Sequence, residues 1–372
     1  MKTTISKVRL EFIVPFLLVF FTATNLSAQL TLPAGSQKAS VSQTIGITEI
    51  TVNYSRPSVN NREVWGKLVP YGFNNLGFGT ATASPWRAGA NENTTIAFTH
   101  PVIIGGKEIP EGTYGFHIAV ENDDSATVIL SKDYTSWGSY FYDEANDIVR
   151  VPVKIKTVPH TELLTYVFNE VSPSKATLAL LWEKKEIPLE IEVNVTETVL
   201  EDIRNKLKDS PGFNRQSWEQ AANFALNNNG DLNEALGWIE AAIGGQFFSE
   251  KTFSNLMIKS NILAKLNKQA EADKAMDEAI ELGTVLELHG LGRRLIASGN
   301  KEKALEVFKY NFNKYKNTWP VHVGLARGYS AKGDYKQALK HLEKASANAP
   351  DKLNKDAIAS NIEKLKNNED IN

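Results

Sequence analysis

The sequence predicts an all-β antiparallel sandwich or barrel followed by an all-α solenoid of helical hairpins, and three observations carry that fold. Between residues 45 and 195, apolar and β-branched residues recur with period two in short runs separated by turns. After residue 199 the composition changes to Ala, Leu, Lys, Glu and Asn at helical spacing. Within that second half a signature of Gly or Asn followed by Ala returns about every 34 residues.

Residues 1–28 read as an export signal. Lys2, Lys7 and Arg9 precede a mostly apolar run over 12–22, interrupted by Pro15, and Ala28 offers a cleavage site before Gln29. The run falls short of the roughly 20 residues a membrane span takes. The mature chain is therefore expected in the periplasm or outside the cell, without a stable span. The chain has no cysteine, which excludes disulfides, thiolate nucleophiles, lipoprotein attachment and Cys-based zinc sites. An exported chain without disulfides needs a sizeable core, and the length left after cleavage suggests two domains. A formal net charge of −2 for the whole sequence gives no argument for nucleic acid or an anionic membrane surface as partner.

A β-rich domain is expected over 29–198. Residues 45–54 and 148–156 alternate with period two, and 94–98, 113–120, 127–130, 163–168, 177–182 and 187–195 add further strand-like runs. Gly105-Gly106, Pro110-Glu111-Gly112, Asn122-Asp123-Asp124 and Ser172-Pro173-Ser174 punctuate them as turns. Pro152 and Pro188 each lack a ladder donor, so their strands belong at edges or contain bulges. A linker or capping helix is expected within 199–215, its helical part at 199–208, then repeats over 216–350 and a capping helix with a polar tail over 351–372.

In the repeats, Ala235, Ala272, Ala304 and Ala338 follow one another at spacings of 37, 32 and 34 residues. Ile239, Met276, Phe308 and Leu342 stand four places after them. Gly230, Asn267, Gly299 and Gly333 are positioned to end a first helix in a left-handed turn, and the small Ala lets the paired helices approach closely. This half resembles tetratricopeptide repeats, most clearly over 319–350, where Leu325, Ala326, Tyr329, Gly333, Ala338, Ala345 and Pro350 fall on pattern. The resemblance implies a concave groove lined by first helices, with Asn261, Arg293 and Arg327 at equivalent positions as a polar, cationic column. Such columns in related repeat proteins grip acidic peptide tails or carboxylates. The alternative is that both arginines pair with Asp or Glu on a neighbouring helix.

The β half carries a dense string of motifs: Ser55-Arg56-Pro57-Ser58, Gly66-Lys67-Leu68-Val69-Pro70-Tyr71-Gly72, Trp86-Arg87-Ala88-Gly89-Ala90-Asn91 and Gly112-Thr113-Tyr114. From about Ser40 to Val195 it resembles the domain of unknown function 2911 family of exported bacterial proteins, which implies architecture and export but no activity. Here residues 73–85 interpose a longer Gly- and Asn-rich loop before Trp86. The family commonly has Thr where this chain has Ala88, a change that removes a hydroxyl from any site there.

Trp65, Tyr71 and Trp86 together with Arg56, Arg62 and Arg87 combine flat apolar faces with planar cations, a surface suited to sugars or peptides. Equally, they could form a structural plug in which each Arg pairs with Glu63 or Glu92. Arg87, Asn91 and Glu92 form a polar cluster before a strand. Glu92 is the one weak catalytic candidate, since glycoside hydrolysis needs a second placed carboxylate. The string Trp137–Tyr142 reads as a strand burying alternate aromatics, or as a flank of the same face. His117 reads as a core histidine. The histidines never fall at ligand spacing within one element, and no nucleophile elbow, metalloprotease helix or phosphate loop occurs, so no metal and no cofactor are expected. The preferred reading is an exported, non-catalytic interaction protein, binding a glycan or other envelope component through the β domain and a peptide or protein through the repeats. A periplasmic hydrolase or carbohydrate-active enzyme, and an assembly chaperone, are the alternatives.

Overall fold

The computed structural model describes residues 32–316 and 318–372; the export segment read at 1–28 lies outside them. Among the described residues ten strands come first: β1 (Gln37–Ile45), β2 (Thr48–Arg56), β3 (Thr94–Phe98), β4 (Val102–Ile104), β5 (Lys107–Ile109), β6 (Gly112–Val120), β7 (Ser125–Ser131), β8 (Asp147–Lys154), β9 (Lys156–Asn169) and β10 (Lys175–Glu192). They pair antiparallel into two sheets, ordered β1-β2-β3-β6-β7-β8 and β5-β4-β10-β9. Ile50, Ile96 and Phe116 of the first sheet share one buried cluster with Ile104, Leu164 and Leu180 of the second. The β half is thus a sandwich and not a closed barrel.

Several strand expectations change. Residues 45–54 are not one strand: Ile45 ends β1, and Gly46, at φ 61°, turns the chain into β2. The alternation ran across a tight hairpin, and β1 itself went unread because an edge strand of Gln, Lys, Ser and Thr shows little apolar pattern. Residues 177–182 and 187–195 are not separate strands, because β10 runs through the first and on to Glu192 in the second, and Val195 already begins a helix. The polar stretch between them is an irregular segment with register shifts around Glu183, which sits at φ 53°. The three-residue strands β4 and β5, closed by Gly105-Gly106, were too short to read. Pro152 lies on edge strand β8, and Pro188 lies beyond Glu186, where the pairing of β10 with β9 ends.

The helix expected at 199–208 begins earlier, as α1 (Val195–Lys206). The Asn194 side chain accepts from the Glu197 N–H and caps it directly after the last strand. Four hairpins follow: α2 (Arg215–Asn227) with α3 (Leu232–Ile243), α4 (Phe253–Lys265) with α5 (Gln269–Leu282), α6 (Val285–Ala297) with α7 (Lys301–Lys314), and α8 (Trp319–Ala331) with α9 (Tyr335–Asn348). Helix α10 (Lys352–Lys366) closes the series. The four repeat alanines are all buried. Asn267, Gly299 and Gly333 hold the left-handed turns, but in the first hairpin Asn229 does so in place of Gly230. Among the described residues no helix is long and apolar enough to cross a membrane.

Candidate functional site

The loop between β2 and β3 folds over the outer part of β6. Trp86 continues the sheet where β3 stops, donating its N–H to the Ile118 carbonyl at 2.9 Å and accepting from the Ile118 N–H at 2.8 Å. Asn74 and Ser84 close the Gly- and Asn-rich insertion with a reciprocal backbone pair at 2.8 Å. A long loop is thereby pinned at both ends.

Between these segments lies a cleft of about 340 Å³. Trp86 and Trp182 line it, stacked with centroids 5.7 Å apart at 17°. Trp65 stands edge-on to both, at 6.0 and 5.9 Å, without lining the cleft. Arg62, Arg87, Asn74, Asn91, Ser84 and Ser139 supply polar groups, and no Asp or Glu is among the described residues that line it. The Arg87 guanidinium lies over the Tyr140 ring at 5.1 Å and donates to the Asn91 carbonyl. Arg62 donates to the carbonyls of Val59 and Ser58 at 3.1 and 2.6 Å. Neither arginine has an ion-pair partner among the described residues, so pairing with Glu63 or Glu92 does not occur. The cleft carries two guanidinium groups without an ion pair, held by backbone carbonyls, beside the partly exposed Trp86 indole.

Of the residues singled out from sequence, the structure gathers Arg62, Trp86, Arg87 and Asn91 here, packs Trp65 against the cleft's two indoles and sends the others elsewhere. Arg56 clamps β2 to β9, donating to the Leu164 carbonyl at 2.9 Å and to Thr165 Oγ1 at 2.6 Å. Tyr71 covers Gly66 and is 40% exposed. Glu92 pairs with Lys38 at 3.0 Å, and that hydrogen bond holds its carboxyl below the usual range. Ala88 is fully buried at φ 50°, its carbonyl accepting from Tyr166 and Thr94. A hydroxyl there would be in the core, so Ala88 takes nothing from the cleft. The stretch Trp137–Tyr142 is a loop and not a strand, because Gly138 turns it at φ 62°. It flanks the cleft through Ser139, whose Oγ meets His117 Nδ1 at 3.2 Å. His117 is indeed a core residue: burial, with the Arg87 charge nearby, pushes its imidazole down to about 4. Trp182 and Ser139 were missed; Trp182 sits in an alternating strand, where an aromatic reads as core.

In the helical half a second, open trough runs across α2, α4 and α6, lined by Gln220, Asn223, Met257, Ile258, Leu286 and Arg294 among others. Asn261, Arg293 and Arg327 do not line it. Asn261 and Arg293 are exposed, and Arg327 is half-buried on α8. Helix-to-helix ion pairs do not form, since neither arginine meets a carboxylate within salt-bridge distance among the described residues, and burial, with the Arg293 charge nearby, lowers the proton affinity of Arg327. Arg327 instead donates to the Ile371 carbonyl at 2.9 Å. Burial, with the charges of Arg327 and Arg293, presses His289 down to about 4.

These features define a class: a β-sandwich with a loop-built cleft, continued by helical-hairpin repeats. Residues 36–191 match the family described as Protein of unknown function (DUF2911), a span that contains every residue lining the cleft. No curated protein matches the sequence. Among solved structures, the chain is similar to MamA at 18% identity, covering 45% of this chain and 92% of that one with a TM-score of 0.30. It is similar to the C-terminal part of a TPR repeat-containing protein from Cytophaga hutchinsonii at 14% identity, covering 46% and 67%, with a TM-score of 0.34. It is also similar to YrrB, a TPR protein with an unusual peptide-binding site, at 20% identity, covering 45% and 84%, with a TM-score of 0.28.

Proposed function

We propose that the protein is an exported, non-catalytic binding protein whose sandwich cleft takes an acidic glycan of the envelope and whose repeats hold a peptide or protein. The observation that carries the reading is the cleft's lining of Trp86, backed by the buried Trp182, and of Arg62 and Arg87, which form no ion pair, with no Asp or Glu among the described lining residues. The partly exposed Trp86 indole supplies apolar area to a sugar ring, and guanidinium forks orient an anionic group on it. The same lining argues against glycoside hydrolysis, which needs two carboxyl groups about 5–10 Å apart across the bond. Glu92 is held by Lys38 instead.

The test is calorimetric titration of the purified protein with a uronate-containing oligosaccharide and with its neutral counterpart. The acidic ligand binds more tightly, and Trp86→Ala or Arg87→Ala each weakens it about tenfold or more, which is about 1.4 kcal/mol. Equal binding of the neutral sugar, or variants that bind as wild type, would remove the reading. Export rests on the charged and apolar segment 1–28. Mass spectrometry of the mature protein should find Gln29 at its start.

A further inference from the structure

After α10, Asn368 at φ 57° turns the chain back and residues 369–372 run along α8. Ile371 is 5% exposed, buried in a cluster that contains Val323, Ala326, Ile358 and Leu365. Around it the polar groups of the segment are read one by one. Ser330 Oγ donates to Asp370 Oδ1 at 2.7 Å and accepts from the Ile371 N–H at 3.1 Å. Arg327 donates to the Ile371 carbonyl at 2.9 Å, and the Asn372 side chain donates to the Arg327 carbonyl at 3.1 Å. A short segment held through its backbone on both sides of one anchoring side chain is bound in the manner of a peptide ligand. The occupancy is also incomplete, since Arg327 Nε is buried without an acceptor.

We infer that this face of α8 is a recognition site for an extended peptide bearing an acidic residue, a branched aliphatic residue and an amide residue in succession, and that residues 369–372 are its resident occupant, which a partner segment of the same chemistry displaces. The inference rests on the reading of the repeat half as a peptide holder and names the site and its ligand. Ile371 fills the apolar socket, Ser330 recognises the acid and the following N–H, and Arg327 fixes the chain direction.

The test uses the full chain and a fluorescein-labelled peptide of sequence Lys-Asn-Asn-Glu-Asp-Ile-Asn, followed by fluorescence anisotropy. Wild type, with its site occupied, binds weakly. Ile371→Ser empties the socket and binds the peptide at least tenfold more tightly, and adding Arg327→Ala or Ser330→Ala abolishes that gain. Asp370→Asn, a milder change, gives the same direction with a smaller gain should Ile371→Ser fold poorly. Opened variants that are folded by circular dichroism yet bind no better than wild type would overturn the proposal and leave the segment as a cap. A wild-type dimer that dissociates on Ile371→Ser would also overturn it, assigning the segment to a second copy. A protein partner captured equally by wild type and by Arg327→Ala would remove this site while leaving the wider reading of the repeats intact.

Discussion

Gly138 decides where the charge of Arg87 sits. A Cβ at this glycine would come 2.3 Å from the Arg87 Cζ, and its φ of 62° lies in the left-handed region that side chains such as alanine's disfavour. The guanidinium therefore packs flat on bare backbone, between Gly138 and the Tyr140 ring. Gly138→Ala is expected to cost about 1–2 kcal/mol from the left-handed backbone alone. It should also push Arg87 out of its seat, so that acidic-ligand affinity falls as it does for Arg87→Ala. Urea denaturation and the same titration check both effects. Wild-type stability together with wild-type affinity would mean that Arg87 is not seated there in solution. Residue type alone could not make this distinction. Arg56 belongs to the same motif string as Arg62 and Arg87, yet it serves as a clamp on β9, because its position at the end of β2 aims it at the Leu164 carbonyl.

At the scale of elements, α7 is seated on its neighbours by one ring. Phe308 is fully buried, and Cβ atoms placed on Gly292 of α6 and on Gly324 and Gly328 of α8 would meet it at 2.4, 2.6 and 3.0 Å. Three glycines on two helices thus form the socket of one side chain. Phe308→Ala is expected to cost about 3–5 kcal/mol, because rigid backbone cannot collapse into the space. Gly292→Ala should cost about 1–3 kcal/mol by overpacking. A smooth loss in thermal unfolding below those ranges would mean that the stack repacks around α7. The sequence carried the Ala-to-Phe spacing but not this socket, since a glycine within a helix declares no neighbour. The same limit applied elsewhere. Strands with a clean apolar period, such as β3 and β7, could be read, whereas β1 is polar and β10 runs through a charged bulge. The cleft was half legible: Trp86, Arg87 and Asn91 lie in a loop where aromatic and charged residues are conspicuous. Trp182 comes from the opposite sheet, and only tertiary packing brings it to them.

For the molecule as a whole, the sharpest expectation concerns acid. Four imidazoles in both halves are held neutral. His117 in the sandwich and His289 and His341 in the repeats are pushed down to about 4, chiefly by burial, and His322 is pushed down for the same reason. His322 and His341 face each other, Nδ1 to Nδ1 at 3.1 Å, with Tyr329 stacked on His341 and Phe312 edge-on to both. Only one of the two facing nitrogens can carry the proton, and Lys344 repels a charge on either ring. In the unfolded chain each histidine takes up a proton near 6.5. The unfolded state therefore binds more protons than the folded state between about pH 6.5 and 4. The histidines' contribution is complete above that window, is lost as pH falls through it and changes no further below, where carboxylates held below their usual range, such as Glu92, begin to lose theirs. Each tenfold difference in proton affinity is worth about 1.4 kcal/mol, so His117 alone withdraws on the order of 3 kcal/mol across it. Urea midpoints measured from pH 7.5 to 4.5 should fall steadily. His341→Phe, which keeps the stack on Tyr329 and removes one titrating ring, should make the decline shallower. Midpoints that stay level down to pH 5 would sink the argument, because they would require these rings to be as free to charge in the fold as in the open chain.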